Sequence, residues 1–172
     1  MATAAAVLTD LLVSLYAIVD SELWDAEALR AWADSRISEL DRPSEWILNL
    51  SMCGSGEAAQ ASLSAALEET GVVLPENYGD LLAGCIILRS ERTGSTKQEL
   101  LVRLFDACDA YAINGLEVSR LGELASADTE ALARAWPELE ASMAPLLRTA
   151  RNEEDRIRSE KWGACGATSL AQ

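Results

Sequence analysis

A chain of 172 residues is the size of one domain and long enough to bury a core without metals or disulfides to staple it. Hydrophobic residues at 49% exclude intrinsic disorder, and a single Phe among abundant Leu and Ala points to an aliphatic, helix-forming core. With 28 acidic residues against 14 basic ones the net charge is -14, a field that repels nucleic-acid phosphates and anionic lipid headgroups and attracts a cationic partner.

Leu8, Leu11, Leu12, Leu15 and Val19 recur at the spacing of one helix face over residues 4–20. Asp25 can cap a second helix, whose stripe is Leu29, Trp32, Ala33, Ile37 and Leu40 and which stops near Asp41. Pro43 suits a first helical turn, where its missing N–H has no partner to lose, so residues 43–53 read as a third, shorter helix. Residues 57–70 are Ala-rich, with Gly71 where a left-handed cap would end a helix. Pro75 opens a fifth helix through Leu81, Leu82, Cys85, Ile86 and Leu88 to about Arg92.

Ser95-Thr96-Lys97-Gln98 has the form of a capping box for a sixth helix, with Leu101, Leu104, Phe105, Cys108 and Ala112 as its buried face and Asn114-Gly115 as its stop. Residues 116–125 form a short helix, and Asp128 caps a segment that reaches Trp136, where Pro137 marks a turn or restart. Leu139, Met143, Leu146, Leu147, Ala150 and Ile157 define a long last helix in which Pro145 kinks the axis or begins a new segment. The expected architecture is all-α: a single-domain bundle of about seven or eight helices over residues 1–162, with residues 163–172 as a flexible C-terminal tail. No stretch approaches the ~20 apolar residues that cross a bilayer, and the start lacks the basic flank of a signal peptide, so the expected location is cytoplasmic, with no membrane partner.

The absence of histidine removes the commonest general base, Ser-His and Cys-His nucleophile pairs, and Glu-x-x-His metal ligands. Cys53, Cys85, Cys108 and Cys165 stand singly, with no CxxC pair, and read as reduced, small apolar side chains. No phosphate-binding glycine motif or nucleophile elbow occurs. The carboxylate pairs Glu22 with Asp25 and Asp106 with Asp109 have the i, i+3 spacing of one helix face, which solvated helices also carry, so no catalytic residue, metal site or cofactor is assigned. Arg148, Arg151, Arg156, Arg158 and Lys161 form the basic-rich stretch, but Glu153, Glu154, Asp155 and Glu160 interleave with them; Glu154 and Arg158 read as an i, i+4 ion pair on a solvent face.

The acidity has a location. Residues 1–88 carry a net -11, residues 89–172 only -3. Asp20, Glu22, Asp25 and Glu27 surround Trp24 in the first turn, and Glu39, Asp41 and Glu45 follow in the next, with Asp34 before them. Trp24 is either a plug at the end of the bundle or an aromatic interface anchor among carboxylates. The expected partner-binding surface is Asp20, Glu22, Trp24, Asp25, Glu27, Glu39, Asp41 and Glu45, with both turns flanking one negative face toward a basic protein.

Residues 28–34 (Ala-Leu-Arg-Ala-Trp-Ala-Asp), 39–43 (Glu-Leu-Asp-Arg-Pro) and 46–51 (Trp-Ile-Leu-Asn-Leu-Ser) resemble small acidic helical proteins of bacteria, some of them immunity proteins to secreted toxins. The resemblance carries no functional residue across. The acidic first half of the chain favours a non-enzymatic protein-binding module, an immunity or antitoxin-like inhibitor of a basic partner such as a toxin nuclease, whose phosphate-holding cleft carboxylates would complement. The alternatives are a metal-dependent hydrolase using carboxylates such as Asp106 and Asp109 on a helical scaffold, and a structural or adaptor oligomer.

Overall fold

The computed structural model describes residues 4–159, the side chains of residues 4–8 excepted. The place of Leu8 on its stripe, the end of the bundle at residue 162, the tail 163–172 and Cys165 lie outside the described residues. The described chain is all-helical, with eight helices and no strand: α1 (Ala4–Asp20), α2 (Ala26–Glu39), α3 (Glu45–Met52), α4 (Gly56–Thr70), α5 (Tyr78–Thr93), α6 (Lys97–Ala110), α7 (Val118–Ala125) and α8 (Thr129–Ser159). It divides into two compact units. Among the described residues, unit 1 comprises 4–73 and 154–159 and unit 2 comprises 74–153. The continuous helix α8 supplies residues to both.

In unit 1, α1 packs on α4, and α2 on α3 and α4. Leu11, Leu12, Leu15 and Ile18 of α1, Leu29 of α2, Ile47 and Leu50 of α3 and Leu63 of α4 are almost wholly removed from solvent. Two of these helices end in the same backbone device. At the end of α4, Gly71 sits at φ 65° and the amides of Gly71 and Val72 donate back to the carbonyls of Glu68 and Leu67. At the end of α1 the amides of Glu22 and Leu23 donate to Val19 and Ile18, and Glu22 holds φ 56°. The second cap therefore places a carboxylate side chain in the left-handed conformation that favours Gly or Asn.

In unit 2, α6 packs on both α5 and α7. Tyr78 meets Tyr111 edge to face at 4.9 Å. The Asp80 carboxylate accepts from the backbone and side-chain nitrogens of Asn114, at 2.6 and 3.0 Å, and so ties the loop after α6 to the start of α5. Gly84 lets α5 approach α8 closely: a Cβ there would stand 2.3 Å from the Leu146 carbonyl oxygen.

Several local expectations shift. Ser44, not Pro43, is the N-cap of α3, so the proline lies just outside the helix. Thr96 rather than Ser95 caps α6, its hydroxyl accepting from the Glu99 amide while the Glu99 carboxylate accepts from the Thr96 amide. That register buries Leu100, Leu101, Leu104 and Ala107, leaves Phe105 and Ala112 exposed and Cys108 half-buried, and ends α6 at Ala110, short of Asn114-Gly115. Pro137 and Pro145 neither restart nor end α8. Each removes one donor, to the carbonyls of Ala133 and Ala141 respectively. Both alanines are exposed, so solvent can serve those carbonyls.

Gly84→Ala gains intrinsic helix propensity of about 1 kcal/mol, but its methyl meets backbone that cannot swing aside. The clash outweighs the gain, and urea denaturation should show a net loss of about 1–3 kcal/mol. Acid sensitivity has two identifiable contributors. Hydrogen bonds from Thr96 hold the Glu99 carboxyl below its ordinary pKa, and the Arg120 guanidinium, bonded to both oxygens of Glu138, does the same there. The unfolded chain binds more protons at these groups, so their stabilisation is complete above the ordinary carboxylate range and is lost as pH falls through the lowered values. Glu99→Gln together with Glu138→Gln should flatten the acid limb of a Tm-against-pH curve.

Candidate functional site

The acidic turns are built on α2. Asp25 is its N-cap, accepting from the Ala28 amide at 2.8 Å. Leu40 is its C-cap, and the next turn, with Asp41, leads into α3. The two turns thus stand at opposite ends of α2, about 20 Å apart along its axis, not side by side. What joins them is the outer face of that helix. Glu27 and Asp34, seven residues apart, lie on the same side of α2 and are exposed, and Asp41, also exposed, follows in the turn after the C-cap. Exposed Arg30 and Arg42 interrupt the row without cancelling it.

Trp24 is not part of this surface. It is 4% exposed, and its indole N–H donates to the Glu154 carboxylate at 2.7 Å. The Arg158 guanidinium lies 4.5 Å from its ring centroid and donates to the same carboxylate oxygen at 2.9 and 3.2 Å. A buried carboxylate needs such partners, since desolvation without them costs several kcal/mol. The side chain available to a partner is corrected to an internal anchor, the plug of the two readings. Glu154 is corrected as well: at 2% exposure it belongs to the core of unit 1 and not to a solvent face. The signal for it is weak in sequence, because Glu154 sits among residues of both charges and only the distant Trp24 makes it buried.

A second tie runs beside it. The Trp32 indole donates to the Ile157 carbonyl at 3.3 Å and stacks on Trp46 at 6.3 Å. Arg36, 5% exposed, donates to the Glu39 carboxylate at 3.0 Å and to the Arg158 carbonyl at 3.5 Å.

The remaining acidic residues divide by task. Asp20 is half-buried and accepts from the Gln60 side chain at 2.7 Å, Asp25 caps α2, and Glu39 is engaged by Arg36. Glu22 is exposed on the left-handed cap of α1. Glu27, Asp41 and Glu45, with Asp34, are exposed and make no hydrogen bond or ion pair among the described residues. Two exposed apolar side chains adjoin this charge on α3. Glu45, Leu48, Asn49 and Met52 form its outer face, with Leu48 38% and Met52 72% exposed, while Trp46, Ile47 and Leu50 point inward. Leu48 and Met52 escaped sequence reasoning, although their spacing opposite the buried residues marks them.

No group of three or more His, Cys, Asp or Glu able to hold a metal occurs among the described residues. Asp106 and Asp109 are exposed on α6, and Glu22 and Asp25 lie in the turn between α1 and α2. Burial raises the Cys53 and Cys108 thiols above their ordinary pKa, which keeps them protonated and weakly nucleophilic at neutral pH. No described helix is long and apolar enough to cross a membrane. Comparison with protein-family models, with curated proteins and with solved structures gave no match for this chain.

The triangle of Trp24, Glu154 and Arg158 makes a coupled unit. Glu154→Leu leaves the buried indole N–H without its acceptor and should cost about 1–3 kcal/mol, whereas replacing both partners in Trp24→Phe with Glu154→Leu should cost less than the two single changes combined. Strict additivity in urea denaturation would contradict the coupling.

Proposed function

We propose that this protein is a non-enzymatic binding module whose α2–α3 surface covers a basic site on a partner protein, in the manner of an immunity or antitoxin-like inhibitor of a nuclease. The observation that carries the reading is the set of exposed carboxylates that make no hydrogen bond or ion pair among the described residues, Glu27, Asp34, Asp41 and Glu45, together with the exposed Leu48 and Met52 on the same face of α3 as Glu45. Exposed carboxylates with no ion-pair partner among the described residues are free to steer a cationic partner, even where, as at Glu27 and Glu45, they also favour the first turn of a helix, and an exposed apolar pair gives the complex its lifetime. A nuclease carries a basic cleft to hold phosphate, which makes it the complementary surface. Glu22 supports the same reading: a position whose backbone favours Gly or Asn holds an extra exposed negative charge instead.

A neighbouring gene for a large secreted protein with a small basic C-terminal domain would favour this reading, and that domain would then be the partner to test. Glu27→Lys, Asp34→Lys and Asp41→Lys together should cost about 1 kcal/mol of stability, since the change at Glu27 opposes the α2 dipole, while slowing association about tenfold at low salt and flattening its salt dependence. Met52→Ser should act on the dissociation rate instead. Glu22→Asn separates backbone from charge, keeping or raising stability by up to about 1 kcal/mol while still slowing association. Stopped-flow rates that ignore all of these changes would remove this surface from the binding site.

A further inference from the structure

Unit 2 holds a groove of about 460 Å³ lined by α5, the start of α6 and the middle of α8, a volume in the range of small-molecule sites. Ile87, Leu100, Met143 and Leu147 make its floor apolar, and the half-buried indole of Trp136 forms one wall. The ammonium of Lys97 stands 4.2 Å from the centroid of that ring, the geometry in which an aromatic face attracts a cation. Lys97 has no carboxylate partner among the described residues, and neither does Glu140 have a basic one, although it lines the same groove one helical turn beyond Trp136. Glu91, the other acidic residue of the lining, is taken by Arg151 at 2.5 Å.

With Lys97 turned out to solvent, one uncompensated charge remains in the lining, the Glu140 carboxylate, next to an aromatic face and an apolar floor. The place an anion would take at the start of α6 is already filled, because the Glu99 carboxylate accepts from the Thr96 amide there at 2.7 Å. We propose that this groove is a binding site for an organic cation with an aliphatic body, an alkylammonium, and that Lys97 is its internal occupant, displaced when the ligand binds. The ligand's nitrogen stacks on Trp136 and faces Glu140, and its chain lies on Met143 and Leu147.

The test titrates the full chain with hexyltrimethylammonium, hexanoate and hexanol, read by calorimetry and by backbone amide NMR shifts. Only the ammonium should bind, with shifts confined to the facing parts of α5, α6 and α8. Lys97→Ala should tighten it about two- to fivefold by removing the competitor, while Glu140→Gln and Trp136→Leu should weaken it. Lys97 and Glu140 are both exposed, so those two variants keep the fold. Tighter binding of hexanoate, or weaker ammonium binding after Lys97→Ala, would make Lys97 the ligand's partner and overturn the assignment. Equal binding of hexanol would reduce the groove to an apolar slot, and shifts spread over the acidic turns of unit 1 would mean non-specific ion attraction; either result sinks the proposal.

Discussion

A charge removed from water must be met by partners, and Glu154 imposes that constraint on unit 1. Its carboxylate, 2% exposed, accepts from the Trp24 indole and from Arg158, and the Arg158 guanidinium closes the triangle over the Trp24 ring. The contacts support one another: Arg158 sets a positive charge beside the carboxylate, and Trp24 adds a neutral donor to the same oxygen. Because Trp24 immediately precedes the cap of α2, the triangle fixes where that helix begins. Trp32 and Arg36 then fasten the inner face of the same helix to the carbonyls of Ile157 and Arg158. The outer face is left to solvent.

This division of one short helix explains how an acidic sequence becomes an acidic surface of definite shape. Carboxylates near the inner side or the helix ends acquire tasks: Asp20 holds Gln60, Asp25 caps, and Glu39 neutralises a buried Arg36. On the outer side Asp34 acquires none, and Glu27 only the favourable field of the first turn of α2. An exposed carboxylate without a partner contributes almost nothing to stability and repels its neighbours, which is the physical reason to look for its use outside the chain. The binding-module reading rests on that argument.

In unit 2, Arg120 with Glu138 and Arg151 with Glu91 pair across helices on the surface. Lys97 and Glu140 line one groove and do not pair with each other. Gly84 sets the close contact of α5 with α8 whose flank forms that groove.

The sequence by itself determined the all-helical class and most helix positions, because caps and apolar spacing act within one or two turns of chain: Asp25, Gly71 and Asp128 cap where their chemistry says, and the absence of histidine is a fact of composition. It also placed the acidity in the first half of the chain. What depended on distant residues was not legible. One miss was local instead: Thr96-x-x-Glu99 has the same capping-box form as Ser95-x-x-Gln98, and it is the one that forms. Pro137 and Pro145 read as breaks, yet the buried Leu139, Met143 and Leu146 hold α8 continuous through both. Trp24 among its carboxylates reads in sequence as either a plug or an interface anchor, and only folding, which brings Glu154 across 130 residues of chain to accept from its indole, makes it the plug. Local physics writes the helices, whereas burial, which sorts the idle carboxylates from the working ones, is a property of residues far apart in sequence and close in space.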